Sequence, residues 1–215
     1  MIVASVRQSL TWDDLIRLVE GIRRRDAAAG RDAAAALDAG DVDRVLDSDG
    51  ALTAVRAAPS LPPALPFSLL WYVPLRAELR ARGEYDPELA DYGASVCVAL
   101  LRTRAARVAG RLEPGLADWT HAIDALPDDS VARGELASDC GALALWWAGV
   151  FPERLERTGD GALRAYVTFA ARALDLAAVL LRDYRPGVSA LYERAAAIAP
   201  DLREALASAH RLLAA

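Results

Sequence analysis

Glu135-Leu-Ala-Ser-Asp-Cys140-Gly-Ala-Leu-Ala-Leu145-Trp-Trp-Ala-Gly-Val150-Phe-Pro-Glu-Arg-Leu155 is the stretch whose reading decides the fold. From Cys140 to Phe151 the only polar groups are a thiol and two indole N–H groups, so a helix here has to be covered by protein on nearly every side. Twelve helical residues rise about 18 Å against the roughly 30 Å of a bilayer's hydrocarbon, which makes this a core helix and not a membrane span. Leu136, Cys140, Leu143, Trp147 and Val150 recur at helical spacing, while Gly141, Ala144 and Gly149 leave room for neighbouring backbones.

The chain that surrounds this helix has 215 residues, 54% of them hydrophobic, enough to bury a sizeable core as one domain. Its formal charge of −5 argues against a polyanion held by electrostatics, so no nucleic-acid partner is expected. Every one of the 25 basic residues is arginine, and there is no lysine or asparagine. Schiff-base chemistry, a Walker A lysine and Cys-His-Asn triads are thereby excluded. Cys97 and Cys140 sit inside apolar helical patterns and read as small buried hydrophobes of a reducing compartment. The opening Met1-Ile-Val-Ala-Ser-Val-Arg7 lacks the basic and apolar regions of a secretory signal, which gives a cytoplasmic expectation.

Thr11-Trp12-Asp13-Asp14 has the spacing of a capping box and opens a helix striped by Leu15, Leu18, Val19 and Ile22. Gly30 and Gly40 punctuate an alanine-rich helix, Asp32 to Ala39, and two short helical pieces follow between Asp41 and Ala58. These weakly apolar pieces are expected to pad the outside of the core.

Four prolines between Pro59 and Pro66 force an extended connector, the best boundary in the chain. It divides an N-terminal helical segment, 1–58, from the main helical core, 67–215. Phe67 to Arg82 reads as a helix that Pro74 kinks or splits. Asp86-Pro87-Glu88 starts a second central helix running to about Val108, with a basic stripe of Arg104, Arg107 and Arg111 at its end.

A short helix between Pro114 and Leu126 turns Leu116, Trp119, Ile123 and Leu126 inward. The central helix runs from about Ser130 to Val150, and Pro152 restarts the chain at an angle. Ala162 to Arg182 is a third long amphipathic helix, and two last helices, Val188 to Ile198 and Leu202 to Leu213, are separated by Pro200. No hairpin dipeptide flanked by alternating hydrophobics occurs. The expected fold is all-α: a multi-helix, orthogonal or bundle-like single domain built around the central apolar helix. Leu69 to Leu79 and Leu145 to Leu155 show a faint likeness, mostly of apolar pattern.

Ala148-Gly-Val-Phe-Pro-Glu-Arg-Leu155, followed by Tyr166, resembles a group of uncharacterised bacterial proteins with a Gly-x-Phe-Pro-Glu signature after an apolar helix and an aromatic helix beyond it. The likeness covers about Pro59 to Ile198. Where that group has Gly-Asp about ten residues before the proline, this chain has Gly141-Ala142. The resemblance implies an all-helical fold and no known activity.

Among chemistry-bearing residues, His121 between Asp118 and Asp124 has the spacing of a metal or acid/base site, yet it falls on the polar side of a short helix and reads as a surface ion-pair set. Glu135 and Asp139 mark the first, solvated turns of the central helix. His210 has no evident partner. No phosphate loop, Gly-x-Ser-x-Gly, Cys-x-x-Cys or His-Glu-x-x-His motif occurs, so no catalytic residue, metal or cofactor is expected and the enzyme reading is disfavoured. Two functions are left. The first is a non-catalytic helical protein that acts by binding another protein or itself. The second is a helical bundle that binds an apolar or aromatic small molecule, with catalysis on it left open and with Trp71, Trp146, Trp147, Phe151 and Tyr166 as the binding residues.

Overall fold

In the computed structural model, which describes residues 1–58, 64–102 and 115–214, every regular element is a helix. Thirteen are seen among the described residues. The N-terminal ones are α1 (Val6–Ser9), α2 (Trp12–Arg25), α3 (Ala27–Asp38), α4 (Val42–Leu46) and α5 (Asp49–Ala57). Then come α6 (Phe67–Ala81), α7 (Pro87–Arg102), α8 (Leu116–Asp124), α9 (Val131–Val150) and α10 (Pro152–Thr158). The last three are α11 (Ala162–Leu181), α12 (Pro186–Ala197) and α13 (Ala199–Ala214).

Local signals set most of these boundaries. Thr11 and Asp14 form the capping box in full, the Thr11 hydroxyl accepting from the Asp14 N–H and the Asp14 carboxylate from the Thr11 N–H. Ser130 caps α9 through the Arg133 N–H, and α9 ends where Phe151 leaves helical geometry just before Pro152. Three expectations shift. Pro74 lies inside an unbroken α6, flanked by Tyr72, Val73 and Leu75, whose full burial holds both halves of the helix in place. Pro200 falls in the first turn of α13, where its missing N–H would have no helical partner, and the break between the last two helices lies at Ile198, just before it. Gly30 lies within α3 and does not begin it; a Cβ there would stand 2.4 Å from the Arg23 Cα, so this glycine is a close crossing of α2 and α3. Residues 59–63 of the proline cluster and the basic stripe at Arg104, Arg107 and Arg111 lie outside the described residues, while Pro66 is extended, as expected, just before α6.

The sequence pattern placed α9 at the centre, and that is where it lies. It packs along α11 and also meets α13, α7, α8 and α10, so Trp146, Trp147, Ala144 and Leu145 are almost wholly buried. Leu143 is only partly buried. The nearest approach is to α13: a Cβ on Gly149 would lie 2.5 Å from the Leu206 Cβ. The N-terminal helices contribute more than padding, since Val45, Leu46 and Val55 belong to the same buried core as α6 and α9.

Two polar devices tie that N-terminal half down. Arg76 of α6, 6% exposed, forks onto Asp47 at 2.6 and 2.7 Å and reaches Asp43 at 2.9 Å and the Tyr72 hydroxyl at 3.0 Å, joining α4 to α6. The segment ahead of α2 is strapped across α7, α9 and α12. The Tyr192 hydroxyl donates to the Ile2 carbonyl at 2.8 Å, the Ser5 N–H donates to Ser95 Oγ at 3.0 Å, and the Val6 N–H donates to Asp91 Oδ1 at 2.7 Å. The Met1 amino group lies 2.8 Å from Asp139. Asp91 thus caps α1 from another helix, Ser5 making no side-chain cap itself. Burial pushes its carboxyl above the ordinary range despite these bonds.

Candidate functional site

The end of α9 assembles an aromatic cluster around Phe151. Its ring centroid lies 4.9 Å from Trp146 and 5.3 Å from Trp147, and the two indoles meet edge to face at 5.5 Å. Consecutive tryptophans can both be buried because α9 is packed against several helices at once, α11 and α13 foremost. From α6, Trp71 joins through His210 of α13: the two rings are parallel, 3° apart, at 6.1 Å, and His210 also faces Phe151 at 6.3 Å. Burial holds the His210 imidazole below its ordinary pKa, with Glu153 acting weakly the other way. His210 is the residue the sequence reading missed. Its signal was its place four residues after Leu206, on the inward stripe of α13.

Three indole N–H groups, of Trp71, Trp146 and Trp147, are buried with no hydrogen-bond partner among the described residues. A ring edge against a ring face compensates such a group in part, which fits the edge-to-face angles of 76° and 78° in this cluster.

Tyr166 does not join that cluster. It packs edge to face on Trp119 at 6.0 Å, and Trp119 meets Phe169 at 5.8 Å. Between the two aromatic groups opens a cleft of about 350 Å³, lined by Leu116, Trp147, Arg154, Leu155, Thr158 and Tyr166 with Gly115 at one edge. Thus Trp147 and Tyr166 line the cleft, Trp146 and Phe151 pack against Trp147 from behind, and Trp71 reaches that group only through His210. Arg154, in the first turn of α10, carries its guanidinium 5.2 Å from the centroid of the Trp147 ring. A groove of about 420 Å³ between α11 and α13 is larger, but Arg164, Asp201, Arg203 and Glu204 make it a charged surface feature holding none of the expected aromatics.

The titratable sets belong to the fold. His121 and Asp118 are exposed, and Asp124 pairs with Arg133 at 2.9 Å. Glu135 pairs with Arg185 at 3.1 Å, and Asp139 is engaged by the strap. Cys97 and Cys140 are free and buried; burial lifts the Cys140 thiol to about 11 and Cys97 well above its usual value, away from thiolate chemistry. Among the described residues no group of three or more His, Cys, Asp or Glu is placed to hold a metal ion, and no helix is long and apolar enough to cross a membrane. Comparison with protein-family models, with curated proteins and with solved structures finds no match to this chain.

Proposed function

We propose that the protein is a non-catalytic binder of a small apolar or aromatic molecule, held in the cleft between Trp147 and Tyr166. The observation that carries this reading is the cleft itself. At about 350 Å³ it falls within the size range of small-molecule sites, and its walls are aromatic and aliphatic with few polar groups, as such sites usually are. Trp147 adds support as the almost wholly buried floor of the cleft, its ring fixed by Trp146 and Phe151 so that little order is lost on binding. The test is titration with a neutral apolar fluorophore, N-phenyl-1-naphthylamine, with native mass spectrometry of protein from its own host. One probe taken up per chain, lost in Trp147→Ala where that variant folds, supports the reading. Absence of uptake, together with no added mass, refutes it.

A protein partner is the second reading, and one observation favours it. Trp12 and Ile16, one turn apart on α2, are 52% and 38% exposed. An exposed tryptophan beside a second apolar side chain is the composition of a contact hot spot. Co-purification from the host that is abolished by Trp12→Ala would bring this reading forward.

A further inference from the structure

We propose that α11 carries the contact surface for a second copy of this chain, the two α11 helices lying antiparallel about a twofold axis and each copy seating its Tyr184 in a groove of the other.

One face of α11, with Tyr166, Ala170, Leu174, Ala177 and Leu181, is buried in the core. A second stripe runs along the same helix and the turn after it, at Phe169, Arg172, Leu176, Val179 and Asp183. Its steps of three, four, three and four residues are the spacing by which one helix lies along another. No described residue covers this stripe fully: Phe169 and Leu176 are half-buried, Val179 is 54% exposed, and Arg172 and Asp183 are exposed. Asp175 and Arg182 flank it and are exposed as well.

The order of these residues fits a reversed copy of itself. With the axis at the level of Ala177 and Ala178, Leu176 meets Val179 of the second copy, Arg172 meets Asp183 and Asp175 comes beside Arg182, each contact occurring twice. Two α11 helices running in the same direction would instead set each of these charges against its own like, so the charge order selects the antiparallel arrangement.

A tyrosine and a groove make the same match independently. Tyr184, just beyond the end of α11, is 67% exposed. At the other end of the stripe a groove of about 210 Å³ opens between α8 and α11, with Ile123, Phe169, Ala173 and Leu176 as its apolar lining. The twofold that pairs Leu176 with Val179 brings position 184 of one copy level with position 171 of the other, beside that groove, since both lie about 10 Å from the axis. A tyrosine ring entering an apolar groove is the usual anchor of an interface, and the symmetry supplies two. The groove shares no lining residue with the cleft at Trp147, so this contact is independent of any ligand there.

Sedimentation velocity of the full chain from about 1 to 300 μM tests the proposal, with circular dichroism to establish that each variant folds. The wild type is expected to pass from monomer to dimer across that range. Val179→Glu and Tyr184→Ala, both at exposed positions, should each weaken the dimer more than about thirtyfold, because every substitution is felt twice. Arg172→Asp and Asp183→Arg should each weaken it more than about tenfold by setting like charges opposite one another. The double variant should return to within about threefold of the wild type, and the two single variants, mixed, should associate with each other. A wild type that is monomeric at every concentration overturns the proposal, as does native mass spectrometry of host protein that finds a different chain in place of the second copy. A dimer indifferent to Val179→Glu and Tyr184→Ala is built on another face and overturns it too. So does a dimer that the exchanged charges fail to restore. Should Tyr184→Ala not fold, Val179→Glu and the mixed pair decide the matter alone.

Discussion

Gly149→Ala tests whether the close crossing of α9 and α13 is what seats the aromatic cluster. The new Cβ would stand 2.5 Å from the Leu206 Cβ and 3.4 Å from the Arg203 carbonyl oxygen. Carbon atoms prefer about 3.5–4.0 Å, and a Cβ is fixed to its backbone, so the two helices have to separate by about 1 Å. Overpacking of this kind costs about 1–3 kcal/mol, while alanine in place of glycine returns up to about 1 kcal/mol of helix propensity, less here because Gly149 is next to the last residue of α9. The net is a loss of about 2 kcal/mol, or about 4–8 °C in melting temperature for a chain of this size. Two other glycines calibrate the result. Gly141→Ala would meet the Leu174 Cγ at 3.0 Å and the Ala170 carbonyl oxygen at 3.3 Å, milder approaches than at Gly149, and should cost less, about 1 kcal/mol. Gly187→Ala, in the first turn of α12 with no atom within 4 Å, should raise the melting temperature by about 1–3 °C. Thermal and urea melts of the three variants decide the matter. A Gly149→Ala protein as stable as the wild type would refute the claim that α9 and α13 are in fixed contact.

Arg76→Met should destabilise by roughly 2–4 kcal/mol in urea melts, below the full penalty of a buried broken pair because Asp43, 42% exposed, regains water. Asp91→Asn should change the pH dependence. A carboxyl raised in the folded state stabilises while protonated and ceases to as pH rises through its raised value, so the variant should compare best with the wild type above that value and lose ground as pH falls toward 3.8. His210→Phe, which keeps a ring on Trp71, should flatten the acid side: a depressed histidine contributes stability that is present above 6.5 and lost as pH falls through its folded value, a loss the variant's melting temperature should not show.

What was legible in the sequence was whatever depends on neighbours along the chain. The capping box at Thr11, the start at Pro87 and the bounds of α9 and α11 follow from local chemistry and period, and each stands within a residue or two of its expected place. Pro74 does not split α6, and the break before α13 falls at Ile198 and not at Pro200, because a proline's effect depends on its position in the turn and on what packs around it, and only packing shows that. The aromatic residues were legible as a set and not as a site. Composition could name Trp71, Trp146, Trp147, Phe151 and Tyr166, but their division into a wall and its backing depends on how α9, α10 and α11 meet. Arg154 escaped notice for the same reason, one exposed-looking arginine in a chain of 25 basic residues being unremarkable until its indole neighbour is known.

The strap ahead of α2 has a consequence for the order in which the protein is made. Its bond from Tyr192 to Ile2 spans 190 residues, and its contacts to Asp91 and Ser95 span 85 and 90. During synthesis these residues emerge before any of the helices that hold them: the Ser5 and Val6 N–H groups stay hydrated until α7 has been made, and the Ile2 carbonyl until α12 has. Closing a loop of that length is entropically costly and rewarded only at the end, so docking of the strap is a late event that waits on the assembled core. A segment made ahead of all its partners is thus among the last to find its place.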